Sequence, residues 1–142
     1  MTYDNFVVKK NIIYHKNFTK NKKYTIRLFI ENNNFKYTLA GNILYDGGEM
    51  VCFNRLLLNN SKNEYDLFDC ITIINKDNIE NITIQLTDNI KIEKLYQFIK
   101  KSSNIQCEFY FFGDMYAGST YELDRSEIKG IKETIEKYYE LI

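Results

Sequence analysis

The hydrophobic period changes at Asp88, and this change constrains the fold more than any other feature of the chain. Before Asp88 apolar residues recur at every second position; after it they recur at steps of three and four. Residues 24–31 show the first pattern unbroken: Tyr24, Ile26, Leu28 and Ile30 alternate with Thr25, Arg27, Phe29 and Glu31. Successive side chains on a strand point to opposite faces, so this run predicts a half-buried strand. Phe35, Tyr37 and Leu39 resume the alternation after Asn32-Asn33-Asn34. Asn tolerates the positive φ of a tight turn, so 24–45 reads as a hairpin. Gly41 inside its second arm marks a bulge or a close backbone approach.

Further strands are expected over 6–14, 49–58, 65–74, 80–87 and 105–112, with Asp46-Gly47-Gly48 supplying hairpin-turn chemistry. Beyond Asp88, which can cap a helix, Ile92, Leu95, Tyr96 and Ile99 form one stripe over 89–102. Asp124 and Glu127 have capping-box spacing, and Ile128, Ile131, Ile135, Tyr138 and Ile142 follow on one face of a helix over 124–142. Strands followed by helices predict an α+β domain. We expect an antiparallel five- to six-stranded meander sheet, with the helices at about 89–102 and 124–142 packed on one face. The other face is then open to water or to a partner.

At 142 residues, 44% of them hydrophobic, the chain is expected to form a single domain over 1–142 with a sizeable core. It holds 16 Lys and 17 Asn against 3 Arg and no Pro, a bias toward residues with A/T-rich codons. Lysine patches are discounted accordingly. Nineteen basic and nineteen acidic residues cancel, which argues against wholesale binding of nucleic acid or an anionic membrane. Residues 1–23 are nonetheless a basic segment, with Lys9, Lys10, Lys16, Lys20, Lys22 and Lys23 against Asp4 alone.

Cys52, Cys70 and Cys107 are an odd number, far apart and each in an apolar run, so they read as reduced core thiols. No run approaches the ~20 apolar residues that span a bilayer. The first residues also lack the apolar stretch of a signal peptide, and the expected location is the cytoplasm.

His15 is the only histidine, which removes histidine triads and multi-histidine metal sites. Its lysine-rich surroundings suggest a surface residue. Glu64, Asp66 and Asp69 pair carboxylates only by spacing, and read as strand acids facing solvent. Asp46-Gly47-Gly48 precedes a strand, whereas phosphate loops lead into a helix N-terminus. Neither a cofactor nor a metal is therefore expected.

Partner-binding residues are sought in two places. The loop 113–120 exposes Met115 and Tyr116 beside Asp114 where polar residues are usual, and such side chains are enriched at interfaces. Arg27 and Arg55 fall mid-strand, where a guanidinium must reach water or a partner. Projecting together from the open face they could hold a carboxylate or phosphate; cross-strand pairing with Glu31, Glu49 or Asp66 is the simpler account. Rings interleave with lysines at Lys16–Phe18–Lys20 and Phe35–Lys36–Tyr37, but the neutral, arginine-poor chain disfavours nucleic acid. The expectation is a non-enzymatic binding protein that occludes a protein partner, such as a toxin or defence effector, in the manner of bacterial immunity proteins or phage-encoded inhibitors. The alternative is a small-ligand or nucleotide-binding module.

Overall fold

The computed structural model describes residues 4–19, 25–44, 53–78, 81–111 and 118–142. The chain begins with a hairpin, β1 (Phe6–Lys9) and β2 (Ile12–His15), and a 3-10 turn at Lys16–Thr19. Next come β3 (Ile26–Asn33), β4 (Lys36–Leu44), β5 (Phe53–Asn59) and β6 (Glu64–Asp66). A second 3-10 turn, Leu67–Asp69, leads to β7 (Thr72–Asn78) and β8 (Asn81–Leu86). The remainder is α1 (Asn89–Lys100), β9 (Ile105–Phe111), β10 (Ser119–Leu123) and α2 (Arg125–Leu141).

The architecture is α+β, and every strand pair among the described residues is antiparallel. The strands divide between two sheets where the periodicity suggested one. Six strands run β1-β2-β3-β4-β8-β7 and four run β10-β9-β5-β6. The division falls inside the expected strand 65–74. There the Asp66 carboxylate accepts the Phe68 N–H at 3.0 Å and caps the short 3-10 turn. The chain leaves the smaller sheet at that turn and enters the larger one at Thr72. The expected strand 6–14 likewise breaks in two at a turn containing Lys10, which has φ 56°. β10, placed where a loop was expected, pairs Ser119–Leu123 with Phe109–Ile105.

The β3–β4 turn sits later than the three asparagines suggested. Asn32 and Asn33 stay in the ladder opposite Tyr37 and Lys36, and the turn is made by Asn34 and Phe35, at φ 55° and 65°. Two left-handed residues match the twist of a two-residue hairpin. The Asn32 side chain holds the turn by accepting the Phe35 N–H at 2.8 Å.

One hydrophobic core joins both sheets and both helices. Leu28, Ile30, Leu39, Ile43, Ile82 and Ile84 come from the larger sheet, and Leu56, Leu58, Ile105, Cys107 and Phe109 from the smaller. Gly41 is a close approach: a Cβ there would lie 2.5 Å from the Arg27 carbonyl oxygen and 2.9 Å from Leu28 Cδ2. Any larger residue would push β4 off β3.

Both expected helix caps form. Asp88 accepts the Ile90 and Lys91 N–H groups, and Asp124 with Glu127 completes the capping box. α2 lies against β2, β3 and β4, burying Ile128, Ile131, Ile135 and Tyr138. Ile142 does not join them, being 62% exposed beyond the last turn. α1 packs on α2 through two reciprocal bonds: Tyr96 donates to Glu136 at 2.6 Å and Tyr139 to Glu93 at 3.0 Å. The bond to Glu136 pushes the Tyr96 phenol up to about 12.

His15 is fully buried, contrary to the expectation of a surface position. On β2 it alternates with Tyr14 and so falls on the inner face with Ile13. Its Nε2 lies 2.7 Å from Glu133 Oε1 on α2, and its Nδ1 accepts the Asn17 N–H at 3.1 Å. With Nδ1 an acceptor, the ring hydrogen belongs on Nε2, which donates to the carboxylate. Asn5 donates to the same oxygen of Glu133 and Asn17 to the Ser126 carbonyl. The Phe18 ring seats on Gly130, where a Cβ would meet it at 2.9 Å. These contacts bolt the N-terminal hairpin to the last helix.

The described cysteines, Cys70 and Cys107, are buried and unbridged; Cys52 lies outside the described residues. Burial pushes the Cys70 thiol up to about 11 and the Cys107 thiol to about 12. Both are therefore neutral at pH 7. Because the thiolate is the reactive form, native protein should react with a thiol reagent only at the unfolding rate at these two positions. Rapid modification of either, read by mass spectrometry, would show that its shell opens locally. Among the described residues no helix is long and apolar enough to cross a membrane.

Candidate functional site

The ladder of the six-stranded sheet decides which side chains share a face, since residues directly opposite one another project together. The inner face holds Ile13, Ile30 and Leu39, and α2 covers it. The outer face runs Val7–Tyr14–Phe29–Ala40–Gln85 in one row, with Lys9–Ile12–Glu31–Thr38 and Arg27–Asn42–Thr83 on either side. Along this face Tyr14, Phe29, Arg27 and Asn42 are half-buried, and Ala40 between them is fully buried.

Within it lies a concavity of about 550 Å³. β1 and its turn contribute Lys9, Lys10 and Asn11, and β2 contributes Ile12 and Tyr14. Arg27 and Phe29 come from β3 and Asn42 from β4, with Phe18 at the margin. Tyr14 and Phe29 are half-buried and directly opposite in the ladder, and both line the concavity. Arg27 Nη2 donates to Asn42 Oδ1 at 3.1 Å, and Asn42 Nδ2 donates to Thr83 at 3.4 Å. This chain of bonds orients the guanidinium while leaving most of its five donors for a ligand. Asn11 is held by Asn33 at 3.3 Å through its nitrogen, which leaves its oxygen as an acceptor.

Among the described residues Lys9, Lys10 and Arg27 have no carboxylate partner and no acid lines the concavity. Glu31 is the nearest acid in the ladder, one strand across from Ile12. The outer face of the smaller sheet has the opposite character. Glu64, Asp66, Glu108 and Glu122 fall on one face there with Arg55. An anion is therefore drawn to one sheet and repelled by the other.

The two arginines singled out in the sequence are not brought together, because Arg27 belongs to the larger sheet and Arg55 to the smaller. Arg55 is engaged as cross-strand pairing predicts. Its Nε lies 3.7 Å from Asp66 Oδ2 and its guanidinium 5.2 Å from the Tyr110 ring centre. At 51% exposure such a pair contributes about 0–1 kcal/mol. Asp114, Met115 and Tyr116 lie outside the described residues.

Lys9 and Lys10 belong to the basic segment 1–23, but nothing in the sequence signals that Asn11, Tyr14, Phe29 and Asn42 join them. The alternation of β3 does place Arg27 and Phe29 on one face. Nothing local says that β2 lies alongside β3 and adds Tyr14 to it.

A second, smaller concavity is lined, among the described residues, by Asn59, Ser61, Asn104, Gln106 and Glu122, with one charged group and no ring. Among the described residues no cluster of three His, Cys, Asp or Glu could hold a metal ion. No family model, curated protein or solved structure matches this chain.

Proposed function

We propose that this chain is a non-enzymatic binding protein whose working surface is the outer face of the six-stranded sheet, where it holds an acidic partner. The observation that supports this reading is the cluster of Lys9, Lys10 and Arg27, without carboxylate partners among the described residues, around the rings of Tyr14 and Phe29. Lone cations over apolar surface are costly to cover unless the covering group is anionic.

Chemistry on a substrate is disfavoured by what the reactive groups are doing. Cys70 and Cys107 are neutral buried thiols, and both nitrogens of His15 are committed to Glu133 and Asn17. The reading places the protein in the cytoplasm, a reducing compartment that suits unbridged thiols.

The breadth of the face supports occlusion of a protein partner, as an immunity protein or a phage-encoded inhibitor would act. The concavity within it supports a small anionic ligand. A charge-reversal experiment tests the surface for either. The wild type isolated from its native cell at low salt should carry a partner near one-to-one. The double variant Lys10→Glu, Arg27→Glu should lose it at least roughly tenfold, since a charge-assisted contact is worth about 1.5–3 kcal/mol. Undiminished retention by the variant would move the working surface elsewhere.

A further inference from the structure

Within that binding reading, on which this inference rests, we infer that the concavity beside Arg27 is a nucleotide site: it takes a phosphate on Arg27 and stacks the base on Tyr14 and Phe29, with Lys9 and Lys10 lining the side of the rings away from Arg27. Three features of the site converge on this ligand class.

The first is charge. Three cations and, among the described residues, no acid line the hollow, and the ladder through Asn42 and Thr83 holds the guanidinium in place. Guanidinium groups match the planar, two-oxygen edge of a phosphate, whereas lysines supply compact point charges. A carboxylate would also satisfy the charge, so charge alone does not select the ligand.

The second is the pair of rings. Tyr14 and Phe29 are register partners on β2 and β3 and share the outer face, on the row next to that of Arg27. An acidic peptide side chain has no use for such a platform, while every nucleobase has a flat face that stacks on one. Inorganic phosphate would leave the rings wet.

The third is size and polar trim. A hollow of about 550 Å³ suits one small molecule rather than a protein segment. Asn11 lines it with its nitrogen spent on Asn33, which leaves its oxygen as the acceptor for an exocyclic amino group. The acidic face of the smaller sheet steers an anion away from the wrong side of the molecule.

The same chemistry could reach the site as a free nucleotide or as one unit of a single strand. The neutral chain and the local hollow favour the free nucleotide, because a strand needs a basic groove extending beyond one base.

The test uses the full chain at low salt with five probes: ADP, adenosine, inorganic phosphate, a deoxythymidine decamer and decaglutamate. Affinities come from calorimetry and the site from amide shifts. ADP should bind and shift β1 to β4, with adenosine and phosphate each weaker by roughly thirtyfold or more, as expected when two anchoring groups act together.

Arg27→Gln should weaken ADP at least roughly tenfold. Tyr14→Leu should weaken ADP comparably while leaving phosphate binding unchanged. Both side chains face outward, and unchanged melting curves would confirm that the variants fold. A decamer binding over a hundredfold tighter than ADP, with the same two variants impaired, would assign the site to a single strand. Decaglutamate shifting β1 to β4 while ADP does not would overturn the nucleotide site and leave the binding face standing. Failure of every probe to shift those strands would remove both.

Discussion

A chain ending at Leu123 is expected to lose its cooperative thermal transition. The missing segment is α2, which buries Ile128, Ile131, Ile135 and Tyr138 in the common core. Each fully buried apolar side chain contributes about 1.5–3 kcal/mol. Four of them sum to roughly 6–12 kcal/mol, which is the scale of a whole domain's stability of about 5–15 kcal/mol. The loss goes beyond area. β2, β3 and β4 would present their inner face to water, and Asn5, His15 and Asn17 would lose the helix groups that satisfy them. Circular dichroism of the truncated protein should show no sharp melt. A soluble truncation melting within a few degrees of the full chain would make α2 an appendage.

Replacing His15 by alanine should lower stability by about 2–4 kcal/mol, the sum expected for a cavity and orphaned polar groups. The ring is fully buried and edge-on to Phe6 and Phe18, with centroids 5.2 and 6.1 Å away, so its removal opens a gap between two aromatics. Glu133 would keep Asn5 but lose its shortest donor, and the Asn17 N–H would lose its acceptor. The melting temperature should fall on the order of 10 °C for a domain of this size. His15→Gln, which restores one donor, should recover part of that. Tyr14 is the next residue on β2 and faces the candidate site, so His15→Ala should also loosen any ligand held there. An unchanged melting temperature would show that the hairpin is carried by β2–β3 pairing alone.

The two outcomes separate what is local in this protein from what is not. The period-two run at 24–31 specified β3 because alternation is a property of a single strand. The stripe from Ile128 to Tyr138 and the capping box at Asp124 specified α2 for the same reason. Cap, stripe and turn chemistry each involve residues a few positions apart, and the sequence carries them directly.

His15 shows where such reading weakens. Its alternation with Tyr14 put it on the buried face, but a lysine-rich neighbourhood concealed a burial that the Asn17 N–H and, 118 residues away, Glu133 make tolerable. An isolated buried imidazole is costly; a bonded one is not. Tertiary structure alone decided three further matters. It divided the strands between two sheets, because Asp66 caps a turn in the middle of one apolar run and the halves find different partners. It placed β4 beside β8 and β5 beside β9, pairings whose register depends on distant strands meeting. And it assembled the candidate site, separating Arg27 from Arg55 and setting Tyr14 opposite Phe29. Sequence determines which face of its own strand a side chain takes; which strand lies alongside is a long-range choice, made by the core that all of them bury together.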